Sequence, residues 1–310
     1  MPAEPRIVVL GGAGQLGRAI LRCGGTAVIA LDRAAADVTD RHAVADALVR
    51  TRPDAVVNAA AFTAVDRAET EPHACFAVNR DGAGHVAAAC AAAGVPLVHL
   101  STDYVFNGRK GTPYLEADPV DPLNAYGASK AAGEILVAAR HERHLILRTA
   151  WVFGPDRLNF VRSILRRALA GNALRVVSDQ HGSPTPAPAL AQIVVAIARA
   201  LALGQGRTGV LHAAGAPDAT WHALADAVVS IALPPERRPP VQPIPTTAFP
   251  TPARRPRDSR LDCTALRSAY GLAPPDWRET LPRIVAALGM QEAAAAAGAA
   301  VAVPSLAAEA

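Results

Sequence analysis

The sequence predicts an α/β protein in which a doubly wound parallel sheet carries a smaller, discontinuous α/β domain. Three features support this fold class. Short apolar runs alternate with alanine-rich helical stretches in the first half, the first run leads into a glycine-rich turn, and prolines cluster in the second half. Alternating strands and helices are typical of a parallel sheet covered on both faces, and continuously apolar strands suit such a buried sheet.

The individual elements follow from these patterns in chain order. Strands are predicted in the apolar runs at residues 6–10, 27–31, 55–57, 97–100, 145–147 and 209–212. Helices are predicted in the alanine-rich or periodic stretches at residues 15–22, 41–50, 73–93, 124–140, 188–203, 220–231 and 279–288.

This order of elements predicts two domains that are interleaved along the chain. Residues 1–150 plus about 186–214 would form the sheet domain. Residues of about 151–185 and 215–290 would form the smaller domain. The alanine-rich segment 291–310 is predicted to be a low-complexity tail.

The overall charge and composition limit the classes of partner. The formal net charge is +4, which fits a mildly basic cytosolic protein or one that attracts an anionic ligand such as a nucleotide. Because no Lys/Arg run is dense and no apolar stretch is long, we predict neither nucleic-acid nor membrane binding. The four cysteines lack CxxC spacing, which predicts a reducing compartment, the cytoplasm.

A glycine loop directly follows the first predicted strand. Gly11, Gly14 and Gly17 have G-x-x-G-x-x-G spacing and precede a helix. Gly11 suits a tight turn, Gly14 the close approach of a pyrophosphate, and Gly17 close packing of the helix on the strand. The helix N-terminus would present free N–H groups to the phosphates. This context predicts a Rossmann-type dinucleotide site, with a glycine-rich turn that binds no ligand as the alternative.

Charged residues after the second strand bear on the choice of cofactor. Asp32 lies about 20 residues after Gly11, where an acid that binds the adenosine ribose is expected. Arg33 could instead pair with a 2′-phosphate, so we expect both NADH and NADPH to serve. Asp37 and Val38 are candidates for an adenine contact, with a cap or turn as the alternative for Asp37.

Three polar residues have the pattern of a proton-transfer site. Tyr126 and Lys130 are spaced so that both side chains lie on one helix face. Free tyrosine has a pKa of about 10, and a neighbouring ammonium would lower it. Thr102, beside Ser101, follows a predicted strand at the sheet edge where ligands bind. Its hydroxyl could donate to a substrate carbonyl, with turn capping as the alternative.

Six further segments accompany the glycine loop: VNAAAFTAVDRAE at 57–69, STDYVF at 101–106, NAYGASKAAGE at 124–134, LRTAWVFG at 147–154, DQHGSPT at 179–185 and FPTPARRPRDSRL at 249–261. Together they resemble the extended short-chain dehydrogenase/reductase family, and within it the branch that reduces 4-keto groups of dTDP-deoxysugars. The resemblance implies an oxidoreductase of dTDP-rhamnose biosynthesis that reduces dTDP-4-dehydro-L-rhamnose with NADPH or NADH.

The same resemblance implies roles for individual residues. Thr102, Tyr126 and Lys130 would form the catalytic triad, with Tyr126 and Lys130 also beside the nicotinamide and its ribose. The cofactor pyrophosphate would contact Gly14, Gln15 and Leu16. The rest of the cofactor would lie against Ala61, Phe62 and Thr63, with Leu100 nearby. The sugar would face Thr102, Asp103 and Trp151.

Two arginines and the absence of a metal complete the expectations. Arg255 and Arg260 lie in a proline-stiffened loop that matches the family motif. We predict that they contact the substrate pyrophosphate, with a solvated charged loop as the alternative. Some relatives dimerise through a metal held by surface glutamates, whose positions are Ala19 and Pro188 here. We therefore predict no metal, and a monomer or a weak homodimer.

Two other classes of function are compatible with the sequence. A nucleotide-sugar epimerase, or a reductase of a different dTDP-4-keto-6-deoxysugar, would use the same scaffold. A non-catalytic regulatory subunit would resemble the same family, but the presence of Thr102, Tyr126 and Lys130 favours an enzyme. His99 is predicted to be a core residue and Trp221 a packing anchor.

Overall fold

The computed structural model describes residues 4–301 of the chain. The strands, β1 to β12 in chain order, are Ile7–Leu10, Val28–Leu31, Ala55–Asn58, Leu97–Thr102, His144–Thr149, Val152–Phe153, Leu174–Val177, His181–Gly182, Thr185–Pro186, Gly209–His212, Ala219–Thr220 and Val241–Ile244. The α-helices, α1 to α11 in chain order, are Gln15–Gly24, Arg41–Thr51, Val65–Thr70, Pro72–Phe76, Ala83–Ala93, Ala125–Arg140, Phe160–Leu169, Ala187–Ala202, Trp221–Ala232, Thr264–Tyr270 and Trp277–Val301.

Six strands form one sheet in the order β10-β5-β4-β3-β1-β2. Every neighbouring pair in this sheet is parallel, so the predicted doubly wound parallel sheet is confirmed. Its last strand, β10, comes from late in the chain and pairs with β5, which places Gly209 beside Leu145. The strand predicted at 209–212 therefore completes a sheet whose other strands lie within the first 150 residues.

The sheet is buried on both faces because successive side chains of a strand point in opposite directions. Ile7 and Val9 of β1 pack in the core that α1 and α8 cover. Val8 and Leu10 pack in the core that α2 and α5 cover. Ala19, which we aligned with a surface metal ligand, is buried in the first of these cores. Burial on both faces explains why the strands are continuously apolar in sequence.

The second half of the chain builds a core of its own. There, β7 pairs in parallel with β12, and helices α7, α9 and α11 surround a cluster that includes Phe153, Leu174, Val228 and Leu281. The sequence patterns predicted neither α7 nor the β7–β12 pair. Leu266 of α10 packs instead with the sheet core that α1 and α8 cover. The domain boundaries given above stay a prediction.

The alanine-rich tail begins inside α11. Residues 291–301 continue the helix predicted at 279–288, and residues 302–310 lie outside the described part of the chain. Glu292 accepts hydrogen bonds from Arg162 at 2.7 Å and from Arg166 at 2.6 Å, which ties this segment to α7. Among residues 4–301, none of the helices combines the length and the apolar composition that a membrane span requires.

A buried ion pair joins α6 to the two central strands. Glu134 of α6 and Arg148 of β5 are 6% and 4% exposed. The guanidinium donates to both carboxylate oxygens, from Nε at 2.9 Å and from Nη2 at 2.7 Å. Ser101 of β4 donates to the same carboxylate at 2.5 Å. Because the pair is nearly dry, removing one partner would leave the other charge buried and unpaired.

We therefore expect Glu134→Ala to lower the free energy of unfolding by about 3–5 kcal/mol, measured by urea denaturation. Glu142→Ala is the matched control, because Glu142 is exposed and exposed charges contribute about 0–1 kcal/mol. Equal, small losses in both variants would mean that the buried pair does not stabilise the packing of α6.

Candidate active site

A cleft of about 730 Å³ lies at the carboxyl edge of the sheet. It is lined by the glycine loop, the segments that follow β2, β3 and β4, the start of α6, and residues from the second half of the chain. Every site residue predicted from the sequence lines this cleft except Arg255 and Arg260. Candidates for cofactor and for sugar binding are thus brought together in one continuous space.

The glycine loop has the close contacts that its sequence predicts. Gly11 has a positive φ of 84°, and a Cβ atom there would lie 2.5 Å from the backbone nitrogen of Ala60. A Cβ on Gly17 would lie 2.4 Å from the carbonyl oxygen of Gly11. No side chain caps α1 at Gly14. The first-turn N–H groups of α1 therefore remain available at the cleft, where the positive end of the helix dipole favours an anion.

Charged residues line the cleft beyond β2. Asp32 accepts a hydrogen bond from the backbone N–H of Ala35 at 3.0 Å. Arg33 is 82% exposed and pairs with Asp37 at 2.8 Å. Asp37 also accepts from the backbone N–H of Thr39 at 2.9 Å, so its carboxylate has the turn role that we gave as the alternative. An exposed pair of this kind contributes little stability, so Arg33 can exchange Asp37 for another anion.

The loop at residues 61–63 is held by Asn79, which the sequence analysis missed. Asn79 is 1% exposed and lies in a π-helical turn, Ala77–Gly82, between α4 and α5. Its side chain accepts from the Phe62 N–H at 2.8 Å and donates to the Phe62 carbonyl at 3.0 Å. It also donates to Ser129 of α6 at 2.9 Å. One buried amide thus fixes the cleft wall against the helix that carries Tyr126.

Tyr126 and Lys130 line the cleft from the first turns of α6. Lys130 is 2% exposed. Its ammonium donates to the Leu100 carbonyl at 2.6 Å and lies 3.4 Å from Nε2 of the buried His99. Burial lowers the pKa of Lys130 to about 8. Burial also raises the pKa of the Tyr126 phenol above its ordinary value, despite a hydrogen bond with Thr102. The sequence led us to predict that Lys130 lowers the pKa of Tyr126. For the protein alone that prediction is wrong.

Thr102 and Asp103 are both buried where β4 ends. The Thr102 hydroxyl accepts from the backbone N–H of Tyr104 at 3.2 Å, so it caps the turn as well as lining the cleft. Its oxygen lies 3.1 Å from Oδ1 of Asp103. Ser259, from the arginine-rich loop, donates to the other Asp103 oxygen at 2.5 Å. The sequence analysis did not identify Ser259, which lies 156 residues further along the chain.

Trp151 lines the cleft two residues after β5 ends, and its backbone has an unusual positive φ of 46°. Its ring stacks on Trp221, with centroids 3.5 Å apart and an interplanar angle of 6°. A Cβ on Gly182 would lie 2.2 Å from the same ring. Since a ring at 3.5 Å leaves no room for backbone on that side, Gly182 covers the other face. Trp151 therefore offers its edge to the cleft, and Trp221, predicted only as a packing anchor, lines the cleft too.

Residues of the second half contact the glycine loop directly. Arg157 donates to the Ala13 carbonyl at 3.2 Å. Gln15 donates to the Val152 carbonyl at 3.0 Å and accepts from Asn159 at 2.9 Å. The sequence analysis identified neither Arg157 nor Asn159, and the one available signal was an asparagine at the N-cap of α7. These bonds hold residues of the second half of the chain against the glycine loop.

Arg255 and Arg260 lie beside a second cavity, of about 720 Å³. Arg255 makes a bidentate pair with Asp66 at 2.7 and 3.0 Å. Arg260 makes a bidentate pair with Asp258 at 2.6 and 2.8 Å. Both guanidinium groups are thus engaged by carboxylates, which leaves fewer of their five N–H donors for a phosphate.

Comparison with known proteins gives a consistent assignment. The family model described as RmlD substrate binding domain matches residues 5–290. A dTDP-4-dehydrorhamnose reductase of Sinorhizobium fredii is 41% identical over 84% of this chain and 89% of its own length. The enzyme of that name from Streptomyces griseus is 41% identical over 92% of this chain and 94% of its own length.

Solved structures agree with this match. The crystal structure of a dTDP-4-dehydrorhamnose reductase from Clostridium acetobutylicum superposes with a TM-score of 0.85 at 33% identity, covering 92% of this chain and all of that one. The structure of the Bacillus anthracis enzyme in complex with NADP has a TM-score of 0.84 at 32% identity, over 91% of this chain and 99% of that one. The chain therefore belongs to the family of the RmlD substrate binding domain.

Proposed function

We propose that this protein is a dTDP-4-dehydrorhamnose reductase, which uses NADPH or NADH to reduce the 4-keto group of dTDP-4-dehydro-L-rhamnose to dTDP-L-rhamnose. The observation that carries this proposal is that Thr102, Tyr126 and Lys130 line the same cleft as the glycine loop. Relatives at 41% identity that match most of the chain have the same name.

The cleft fits a nicotinamide dinucleotide. The uncapped N-terminus of α1 supplies the backbone donors that a pyrophosphate requires. Gln15, Leu16 and the wall at 61–63 line the space that leads from there to Lys130. When bound, the cofactor supplies a hydride. Asp32 would bind the adenosine ribose, and Lys130 would bind the ribose next to the nicotinamide.

The remaining chemistry is the protonation of the sugar oxygen. Negative charge that develops on O4 must be stabilised as it forms. Thr102 donates a hydrogen bond to O4, and Tyr126 transfers its proton to it. The phenol is protonated at neutral pH, as a general acid must be, although burial raises the Tyr126 pKa and makes the phenol a weaker acid in the protein alone. Asp103 and Trp151, which line the cleft together with Thr102, would face the sugar.

The other functional classes make different predictions for the same assay. A reductase consumes one NADPH for each sugar reduced, whereas an epimerase regenerates its cofactor in every cycle. A regulatory subunit would bind a partner without turnover. We further propose that the protein acts in the cytoplasm as a monomer or weak homodimer, without a metal and without nucleic acid as a partner.

We expect Tyr126→Phe to lower kcat by about 10²–10⁴-fold, because it removes the proton while the ring remains. Cofactor affinity should change little. Lys130→Met should weaken both turnover and NADPH binding, since Lys130 serves both. NADPH oxidation with dTDP-4-dehydro-L-rhamnose measures turnover, and cofactor fluorescence measures binding. Near-normal kcat in Tyr126→Phe, with hydride transfer rate-limiting, would rule out Tyr126 as the acid.

Cofactor preference should depend on Arg33. Its pairing with Asp37 is exposed and weak, so the guanidinium is available for a 2′-phosphate. We expect Arg33→Ala to lower kcat/KM for NADPH by about tenfold or more relative to NADH. Arg41→Ala is the control, since Arg41 is exposed and lies outside the cleft lining. An unchanged NADPH/NADH ratio would mean that Arg33 does not meet the phosphate.

The nucleotide end of the substrate remains assigned to Arg255 and Arg260. We expect Arg255→Ala and Arg260→Ala each to raise KM for the dTDP-sugar by about 10- to 100-fold, as loss of a charged hydrogen bond does. Asp66→Ala distinguishes substrate binding by Arg255 from a role in holding its loop. The variant breaks the ion pair with Arg255 but keeps the guanidinium. If Asp66→Ala, Arg255→Ala and the double variant all raise KM equally, Arg255 only holds the loop.

A further inference from the structure

Asp103 is a buried carboxyl group without a cation. It is 2% exposed and makes no ion pair within residues 4–301. Its side-chain partners are two hydroxyl groups, those of Thr102 at 3.1 Å and of Ser259 at 2.5 Å. The titratable groups that face it are the phenols of Tyr104 and Tyr126, whose pKa values its negative charge raises. Protonation of this carboxyl is therefore set by burial, by two hydroxyl donors and by the backbone N–H groups of Asp103 and Tyr104.

The Thr102 hydroxyl has one hydrogen and two lone pairs. One lone pair is already occupied, since the oxygen accepts from the backbone N–H of Tyr104 at 3.2 Å. An ionised Asp103 can only accept hydrogen bonds, so it takes the single Thr102 hydrogen. A protonated Asp103 can donate from Oδ1 to the second lone pair of Thr102. Only in the second case is the Thr102 hydrogen released from Asp103, so that it can bond to the neighbouring Tyr126 phenol or to a substrate oxygen.

We propose that Ser259 is a positioning residue that controls, through Asp103, whether the single hydrogen of Thr102 is available to the substrate oxygen. The active enzyme has Asp103 protonated, and Asp103 donates to Thr102 while Thr102 donates to the sugar. Ionisation of Asp103 withdraws the Thr102 hydrogen and slows the reaction. This inference rests on the proposed reductase function, because it assigns Thr102 a donor role toward a sugar oxygen.

Burial and hydrogen bonding place the ionisation of Asp103 in an accessible pH range. Burial raises the pKa of Asp103 to about 7, although hydrogen bonds from Ser259 and Thr102 lower it. Ser259 is 1% exposed, so water does not replace it readily. Loss of the Ser259 donor destabilises the carboxylate, and the Asp103 pKa then rises. Activity is lost as pH rises through that pKa, so the alkaline limb of the kcat profile should move to higher pH.

The experiment compares Ser259→Ala, Ser259→Thr and Asp103→Asn in the full-length protein. Carbon-13 NMR of aspartate-labelled protein, assigned with Asp103→Asn, gives the Asp103 pKa without substrate. We expect Ser259→Ala to raise it by about one to two units and to shift the alkaline limb of kcat equally. Ser259→Thr should restore both values. Asp103→Asn should remove that limb, because the amide does not ionise.

Ser178→Ala is the matched control, because Ser178 donates a hydroxyl hydrogen to Ile244 outside the cleft lining. Ser178→Ala should change neither the Asp103 pKa measured by NMR nor the alkaline limb of the kcat profile. Two results would overturn the proposal. One is an Asp103 carboxyl that stays ionised over the whole pH range in which the enzyme is active. The other is an alkaline limb of the kcat profile that does not move when the pKa of Asp103 moves. A normal NMR shift without any turnover of dTDP-4-keto sugars would instead overturn the proposed reaction.

Discussion

The buried pair between Glu134 and Arg148 fixes the position on which the rest of the site depends. Tyr126, Lys130 and Glu134 occupy every fourth position of α6 and so lie along one face. Glu134 is bound to β5 and β4 through Arg148 and Ser101. Lys130 is bound to β4 through the Leu100 carbonyl. These two contacts on one face of α6 determine both the rotation and the axial position of the helix. They thereby place Tyr126 at the end of β4.

Close packing allows α6 to make these contacts. A Cβ on Gly127 would lie 2.2 Å from the Tyr104 carbonyl, and a Cβ on Gly133 would lie 2.2 Å from the Asn79 carbonyl. Both neighbours support cleft walls from behind, since Tyr104 follows Asp103 and Asn79 holds the loop at 61–63. The two glycines therefore bring both walls into direct contact with the helix that carries the proposed acid. A side chain at either position would separate the acid from the surfaces that shape its substrate.

Local sequence could predict the sheet and the glycine loop because both depend on short-range patterns. The parallel strands are apolar runs, and the loop has fixed glycine spacing. Contacts between distant segments could not be predicted in this way. Asn79, Ser259 and the Trp151–Trp221 stack acquire their roles only when the chain folds back on itself. The β7–β12 pair escaped prediction because Val241–Ile244 contains a proline and lies within a proline-rich stretch.

Burial separates the electrostatics of the cleft into two parts. At its centre, burial favours the neutral form of Tyr126, Lys130 and Asp103. Beside the glycine loop and the end of β2, the α1 terminus and the exposed Arg33 offer positive charge that water still screens. The anionic cofactor can thus be bound where desolvation costs least, while the proposed proton transfer would take place among buried residues. There, small changes in hydrogen bonding have large effects on protonation, which makes Ser259 a sensitive position although it does not line the cleft.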